Sequence, residues 1–524
     1  MIDLKKKYPL PALQKSLLDI YPVGADPLSN PRDVLENPPD TFSAETYYRL
    51  GRYFDDHGGT EEALRFFHKA IALDSKLAAA YNDLGAIYQS LDQIEEAVTQ
   101  YQKALSLHPN FTEANYNLGN AFKELGRWPE AVIYSQKAIE LDPSIPEAHY
   151  TLGIVFYAQD QVEEAIRCWQ KTVQLNPGHQ DAYNNMGVAF QDKLELDKAQ
   201  KCFQKAILNN PDFSEAHWNK SLCHLLAGNF PEGWKEYQWR FRINDIFFNR
   251  HFTQPLWDGG DLNGKRILLY AEQAFGDTIQ FIRYVPLVVK QGGRVFVECQ
   301  EDLFPLLEPM KGIERLIKHG QPLPDFDIHC PLLSLPLAFK NTLEDIPLDI
   351  PYLSVSPDLV QKWHQSLAAD QSDKKIGLVW AGRPTHKKDR KRSLALETLA
   401  PLAEIPGIIF YSLQKGEAAQ QAQNKPNGMK LVDVAEDLVD FTETGALIEN
   451  LDLVIAVDTA VAHLAGALGR PVWTLLPYSP DWRWLLNRED SPWYPSMRLF
   501  RQPSPEGWTS VILSVRDCLL KIIK

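Results

Sequence analysis

No run of apolar residues in the chain approaches the length of a membrane span, so none is expected. The first residues, Met1-Ile-Asp-Leu-Lys-Lys-Lys, carry charge with no apolar segment behind them, unlike a secretory leader. Six cysteines are scattered at 168, 202, 223, 299, 330 and 518, without a Cys-x-x-Cys pair. That spacing argues against a disulfide framework or a thiolate zinc site and suits a reducing, cytoplasmic location. Basic residues are the minority, 54 Lys and Arg against 68 Asp and Glu for a net charge of −14. With only one short basic loop, nucleic acid is not an expected partner. P-loop, H-E-x-x-H and G-x-S-x-G patterns are missing too, which argues against common nucleotidases, metalloproteases and serine hydrolases. Asp325-Phe-Asp327 fits a metal-binding D-x-D pattern, but two-letter acidic motifs are common, and neither metal nor cofactor is expected.

What the chain has is a period. Gly51, Gly85, Gly119, Gly153 and Gly187 stand thirty-four residues apart, and Ser221 takes the next rung. Phe54, Tyr88, Phe122, Phe156 and Phe190 follow at a fixed offset, as do Ala63, Ala97, Ala131, Ala165 and Ala199. Phe67, Tyr101, Trp169 and Phe203 fill a further position, with Ser135 as the exception, and Pro109, Pro143, Pro177 and Pro211 close each unit. This is the pattern of the tetratricopeptide repeat, a pair of helices that buries its apolar face only against stacked neighbours. Five regular units and a degenerate sixth are expected over residues 44–247, after an extended proline-bearing lead-in at 1–43. The sixth unit ends in Gly233-Trp-Lys-Glu-Tyr-Gln-Trp-Arg-Phe241, which reads as a surface that docks onto the next domain. Polar residues recur at one position of each repeat, among them Asp83, Asn117, Asn185 and Asn219. They face a concave groove and either bind a peptide or are merely solvated.

After Arg250 short β-rich runs alternate with helical stretches. Arg266–Ala271, Arg294–Cys299 and Phe326–His329 form one block; Lys375–Trp380, Ile408–Leu413, Lys430–Val434, Leu451–Val457 and Pro471–Leu476 form another. Nearly continuous apolar strands between helices indicate parallel sheets covered on both faces. The expected architecture is an all-α repeat solenoid followed by two α/β Rossmann-like domains, at 248–372 and 373–524, with ligands at the carboxyl ends of the strands.

Two strand-to-helix turns carry the chemistry. In the first, Gly276 and Asp277 open a helix, and Asp277 is either an N-cap or a carboxylate projecting into the site. In the second, Asp458-Thr-Ala-Val-Ala-His463 starts a small-residue helix that ends at Gly469. Its free N–H groups and dipole suit an anion; the bland alternative is a well-capped helix with a hydrogen-bonded histidine. The basic loop Ala381–Ser393 opens at a strand's carboxyl end, and its Arg392 and Ser393 are candidates for phosphate contact. Gln414 and Lys415 end the next strand. Asp481-Trp-Arg-Trp484 and Pro492-Trp-Tyr-Pro495 read as aromatic packing at a domain edge.

Gly276-Asp277-Thr278 together with Asp458-Thr-Ala-Val-Ala-His463 resembles the heptosyltransferase-type glycosyltransferases of the twin-Rossmann (GT-B) fold, over roughly residues 262–520. The resemblance implies that Asp277 is the base that deprotonates an acceptor hydroxyl. It implies also that Asp458, Thr459 and His463 hold a donor diphosphate, with Gly276, Arg392, Ser393 and Lys415 expected nearby. Ala460 stands where that family often has glycine. Repeats ahead of a GT-B module also resemble the protein O-linked N-acetylglucosamine transferases in architecture. The expected activity is inverting transfer from a nucleotide sugar to a protein or oligomeric acceptor recruited by the repeats, without metal. The alternative is a repeat scaffold whose GT-B-like domain has lost catalysis and mediates protein–protein interaction.

Overall fold

The computed structural model describes residues 42–243, 250, 252–368, 374–386, 388–505 and 507–523. All but two residues of the expected lead-in lie outside this set, as does Lys387 of the basic loop. The chain divides within the helix Gln180–Asp192 into two compact units, residues 1–189 and 190–524.

In the first unit the helices Ala44–Asp56, Thr60–Leu73, Ala78–Ser90, Ile94–Leu107, Thr112–Glu124, Trp128–Leu141, Pro146–Ala158 and Val162–Leu175 form four antiparallel pairs. The glycine ladder exists for space. A Cβ on Gly51 would lie 2.6 Å from the Phe67 ring, on Gly85 2.7 Å from Tyr101, and on Gly153 2.5 Å from Trp169. Each glycine admits an aromatic ring from the second helix of its own pair. At the exception the small Ser135 brings the helices closer still, with its backbone nitrogen 3.0 Å from where a Gly119 Cβ would sit. Ala63, Ala97, Ala131 and Ala165 are fully buried in the same seams. A second ladder passes unnoticed in the sequence. Gly58, Asp92, Gly126 and Asp160 all have positive φ between the two helices of a pair, the left-handed turn that Gly and Asp tolerate best.

In the second unit the helices Leu196–Asn209, Ser214–Leu226 and Phe230–Tyr237 continue the repeat and pass through the 3-10 turn Gln238–Arg242 into two sheets. The first holds β1 (Arg266–Tyr270), β2 (Arg294–Cys299), β3 (Ile313–Lys318) and β4 (Ile328–Pro331) in the order β3-β2-β1-β4. The second holds β5 (Lys374–Val379), β6 (Ile408–Ser412), β7 (Leu431–Asp433), β8 (Leu453–Val457), β9 (Val472–Leu476) and β10 (Met497–Arg501), ordered β10-β9-β8-β5-β6-β7. Every pairing in both ladders is parallel. β6, β8 and β9 are buried along their whole length, as continuous apolar runs require. These are the twin α/β layers of a GT-B-type arrangement, preceded by an all-α solenoid.

Arg283 ties the two sheets together. Its guanidinium donates to the carbonyls of Trp493 at 2.8 Å and Pro347 at 3.2 Å and to the Tyr352 hydroxyl at 3.1 Å. The Tyr352 hydroxyl in turn donates to the Ile279 carbonyl at 2.9 Å, on the helix that carries Asp277. Among the described residues no helix is long and apolar enough to cross a membrane. All six cysteines are free.

Candidate functional site

β1 runs into the helix Phe275–Phe281, and β8 runs into the helix Ala460–Ala467. The first turns of these two helices meet, although nearly two hundred residues separate them. Gly276 makes the meeting possible. Its backbone is not in the left-handed region, yet a Cβ there would lie 2.9 Å from Cδ2 of His463 and 3.7 Å from the Cα of Ala460. Glycine is therefore required for approach, not for conformation. On the other side of the second helix, Gly466 admits the Tyr494 ring, which a Cβ would meet at 2.5 Å.

Asp277 does two things at once. One carboxylate oxygen accepts the backbone N–H of Ala274 at 2.9 Å, which caps its helix. The other is engaged by the guanidinium of Arg483, a residue on the loop that follows β9. Arg483 also donates to Asp481 at 2.8 Å and to the Gln280 side chain at 2.6 Å. Burial pushes the Asp277 carboxyl above the usual carboxylate range, while the Arg483 cation opposes that shift. The segment 481–484, expected to be aromatic packing at a domain edge, thus supplies the cation at the centre of the site. Its tryptophans do pack as expected: Trp482 and Trp484 are buried. The arginine between them gives no sequence signal, because its partner is 206 positions away.

Thr459 is the N-cap of the second helix, but its hydroxyl does not cap it. Thr459 Oγ1 is buried and has no protein partner, an exception to the usual pairing of buried polar atoms. Nδ1 of His463 shares a hydrogen bond with the Tyr494 hydroxyl at 3.0 Å, and its Nε2 lies 3.9 Å from Asp458 Oδ1. Burial, reinforced by the nearby Arg483 cation, lowers the His463 imidazole to about 3 and keeps it neutral. Burial, with Asp481 adding its charge, pushes the Asp458 carboxyl up to about 6. With a neutral ring, the Asp458–His463 contact is a polar one and not an ion pair.

Arg392 reaches this turn and donates to the Asp458 carbonyl at 3.1 Å. Ser393 organises its own loop, accepting the Gly382 N–H and donating to Asp389, both at 2.8 Å. Gln414 is buried, and its side-chain oxygen receives the N–H groups of Trp380 and Ala381. Lys415 is exposed and donates to the Ala435 carbonyl at 2.6 Å, so its amine is engaged away from the turn of Asp458. Asp327, from the D-x-D pattern, pairs with Arg266 at 2.8 Å on an exposed edge. No metal-binding cluster of three or more His, Cys, Asp or Glu occurs among the described residues. His329 sits among Phe252, Tyr270 and Phe326, and Ser334 bonds to Arg240 and Gln238.

On the repeats, Asp83 accepts the Tyr48 hydroxyl at 3.0 Å and the Asn82 amide at 3.1 Å. Asn117 donates to Asn82 at 3.0 Å, and Asn185 donates to the Tyr150 hydroxyl at 3.3 Å. All three side chains are half-buried, as is Asn219 of the second unit. The polar positions in the first unit thus cross-link neighbouring repeats one rung apart.

Both the repeats and the C-terminal part of the chain are similar to known proteins. Residues 87–126, 119–160, 146–179 and 181–213 match tetratricopeptide-repeat models. Residues 338–507 match glycosyltransferase family 9 (heptosyltransferase), a stretch that holds the Asp458 turn but not Asp277. A curated relative, protein FlbA of Caulobacter vibrioides, is 28% identical over 305 residues, 53% of this chain and 50% of its own. The chain thus matches about half the length of that relative. Among solved structures, YrrB, described as a TPR protein with an unusual peptide-binding site, is 30% identical over 36% of this chain and 97% of its own, with a TM-score of 0.31. MamA is 28% identical over 31% of this chain and 95% of its own, with a TM-score of 0.29. The chain carries tetratricopeptide repeats and a C-terminal heptosyltransferase-like domain.

Proposed function

We propose that the second unit is an inverting glycosyltransferase that moves a sugar from a nucleoside diphosphate to a hydroxyl of a protein or oligomeric acceptor, which the repeats recruit. The observation that carries this reading is the meeting of the two turns, Gly276 against His463. It puts a carboxylate from one sheet beside an anion-suited helix start from the other.

In this reading the donor diphosphate lies at the N-terminus of the helix Ala460–Ala467. Thr459 Oγ1, buried without a partner, donates to a phosphate oxygen, and the dipole of the helix favours the charge. Arg392 and Arg483 neutralise the rest, so no metal ion is needed. Neutral His463 contributes shape and a hydrogen bond rather than charge. Asp277 takes the proton of the acceptor hydroxyl as its oxygen attacks the anomeric carbon. The bond from that carbon to the diphosphate breaks, and the nucleoside diphosphate leaves with the electron pair. Arg483 has two other acceptors, Asp481 and Gln280, so Asp277 can be released without stranding a buried guanidinium. Free cysteines and a nucleotide donor suit a cytoplasmic location.

A scaffold without catalysis is the second reading, and one observation favours it: Asp277 is occupied at both oxygens. Donor hydrolysis by wild type and Asp277→Asn separates the two. Transfer predicts turnover that is insensitive to EDTA and falls about 10²–10⁴-fold in the variant while nucleotide binding persists. Equal turnover in both proteins would remove Asp277 from the chemistry.

A further inference from the structure

The turn that carries Asp277 is held from behind by the last repeat. Arg240 lies in the 3-10 turn that ends that repeat and has no exposed surface. It grips Glu272 through two hydrogen bonds, Nε to Oε1 at 3.0 Å and Nη2 to Oε2 at 2.9 Å. The same guanidinium donates to Ser334 at 2.8 Å and to the Tyr237 carbonyl at 3.1 Å. Glu272 is the second residue beyond β1 and stands five positions before Asp277. The next residue is fixed as well, since the Gln273 amide donates to the Tyr237 hydroxyl at 3.1 Å.

The opposite wall of the site rests on the same repeat. Trp234 packs edge-on against Trp482, the neighbour of Arg483, at 5.1 Å, and against Phe281 at 6.0 Å. Phe230 meets Trp482 edge-on at 6.4 Å and stacks on Trp493 at 6.0 Å. Four residues of one degenerate repeat thus touch both the segment bearing Asp277 and the segment bearing Arg483. A buried bidentate pair fixes geometry more than it adds stability, which suits a positioning role.

We infer that the last repeat is part of the transferase, with Arg240 and Tyr237 acting as positioning residues for Asp277. Recruitment of an acceptor is left to the repeats before it. The inference rests on the proposed transfer only for its kinetic readout. It also sets the start of the functional unit near Ser214, where the last repeat begins, and not near 248.

The test uses the full chain with Tyr237→Phe and, separately, Arg240→Lys. Amide hydrogen exchange is followed in 271–281 and in the control helix Trp508–Ile523, which packs elsewhere, alongside donor turnover. The expected result is faster exchange confined to 271–281, with kcat down about tenfold and KM for the nucleotide sugar unchanged. Unchanged exchange in 271–281, loosening spread equally to the control helix, or unchanged kcat in an active protein would each overturn the inference. A wild type that shows no turnover would count against the transfer reading instead, while the exchange pattern would still decide whether the last repeat holds the turn. Tyr237→Phe removes only a hydroxyl, so a folding failure of Arg240→Lys does not remove the test.

Discussion

The regular repeats and the two-sheet unit use the same device, a glycine that makes room for a ring. Gly85 admits Tyr101 and Gly153 admits Trp169 in the solenoid; Gly276 admits His463 and Gly466 admits Tyr494 beside the site. In the repeats the ring comes from the adjacent helix, some sixteen positions away, and the arrangement recurs. Beside the site Gly276 and His463 come from different sheets, and the arrangement occurs once. Repetition makes the first kind visible to a reader of sequence. The second becomes visible only when the fold brings its partners together. The first kind stabilises a scaffold, whereas the second fixes where a carboxylate stands relative to a helix start.

The comparison is broken most forcefully at the repeat ring. Trp169 is buried to 1% exposure, and Trp169→Ala should destabilise the solenoid by about 3–5 kcal/mol in denaturant melts. Nucleotide binding by the second unit should persist.

A smaller and sharper contrast comes from adding one methyl group at each kind of glycine. Gly85→Ala pushes against the Tyr101 ring and should cost about 1–3 kcal/mol of stability with no change in donor affinity. Gly276→Ala displaces His463 and should weaken donor binding about tenfold. Calorimetric titration of both variants distinguishes the two devices. Equal effects on binding would mean that they are one.

The smallest effect is electrostatic. An unfolded histidine takes up a proton near pH 6.5, while folded His463 stays neutral down to about 3. Lowering the pH through that window therefore favours unfolding. Folded Asp458 holds its proton up to about 6 against 3.8 unfolded, so its contribution is lost as pH rises through the same region. The two slopes oppose each other in the wild type. In His463→Gln only the Asp458 slope is left, and wild type should lose stability relative to the variant by about 1.4 kcal/mol per unit of acidification below pH 6.5. Parallel stability curves would show that His463 is not held neutral.

Much of the fold is legible because burial leaves a continuous mark. β1, β2, β5, β6, β8 and β9 coincide with apolar runs in the sequence. β3 and β10 escape notice because charges interrupt their apolar pattern. Ile313–Lys318 and Met497–Arg501 carry charged residues at partly or fully exposed positions, which breaks the run. The two turns of the site are legible as glycine, carboxylate and cap. Their meeting is not, and neither is Arg483, since a lone arginine between tryptophans looks like any surface residue until Asp277 is beside it. The left-handed rungs at 58, 92, 126 and 160 were hidden for a different reason: glycine and aspartate alternate there, and only the backbone shows that they share a role.

Binding of nucleoside diphosphates at the helix start of Ala460 is the direct measure of whether the meeting of the two turns is a donor site. The melting temperature of the full chain should be followed with millimolar uridine, adenosine, guanosine and cytidine diphosphates. At least one should raise it by several degrees, and Thr459→Val should reduce that rise. No stabilisation by any of the four would contradict the transferase reading and leave the second unit as a scaffold.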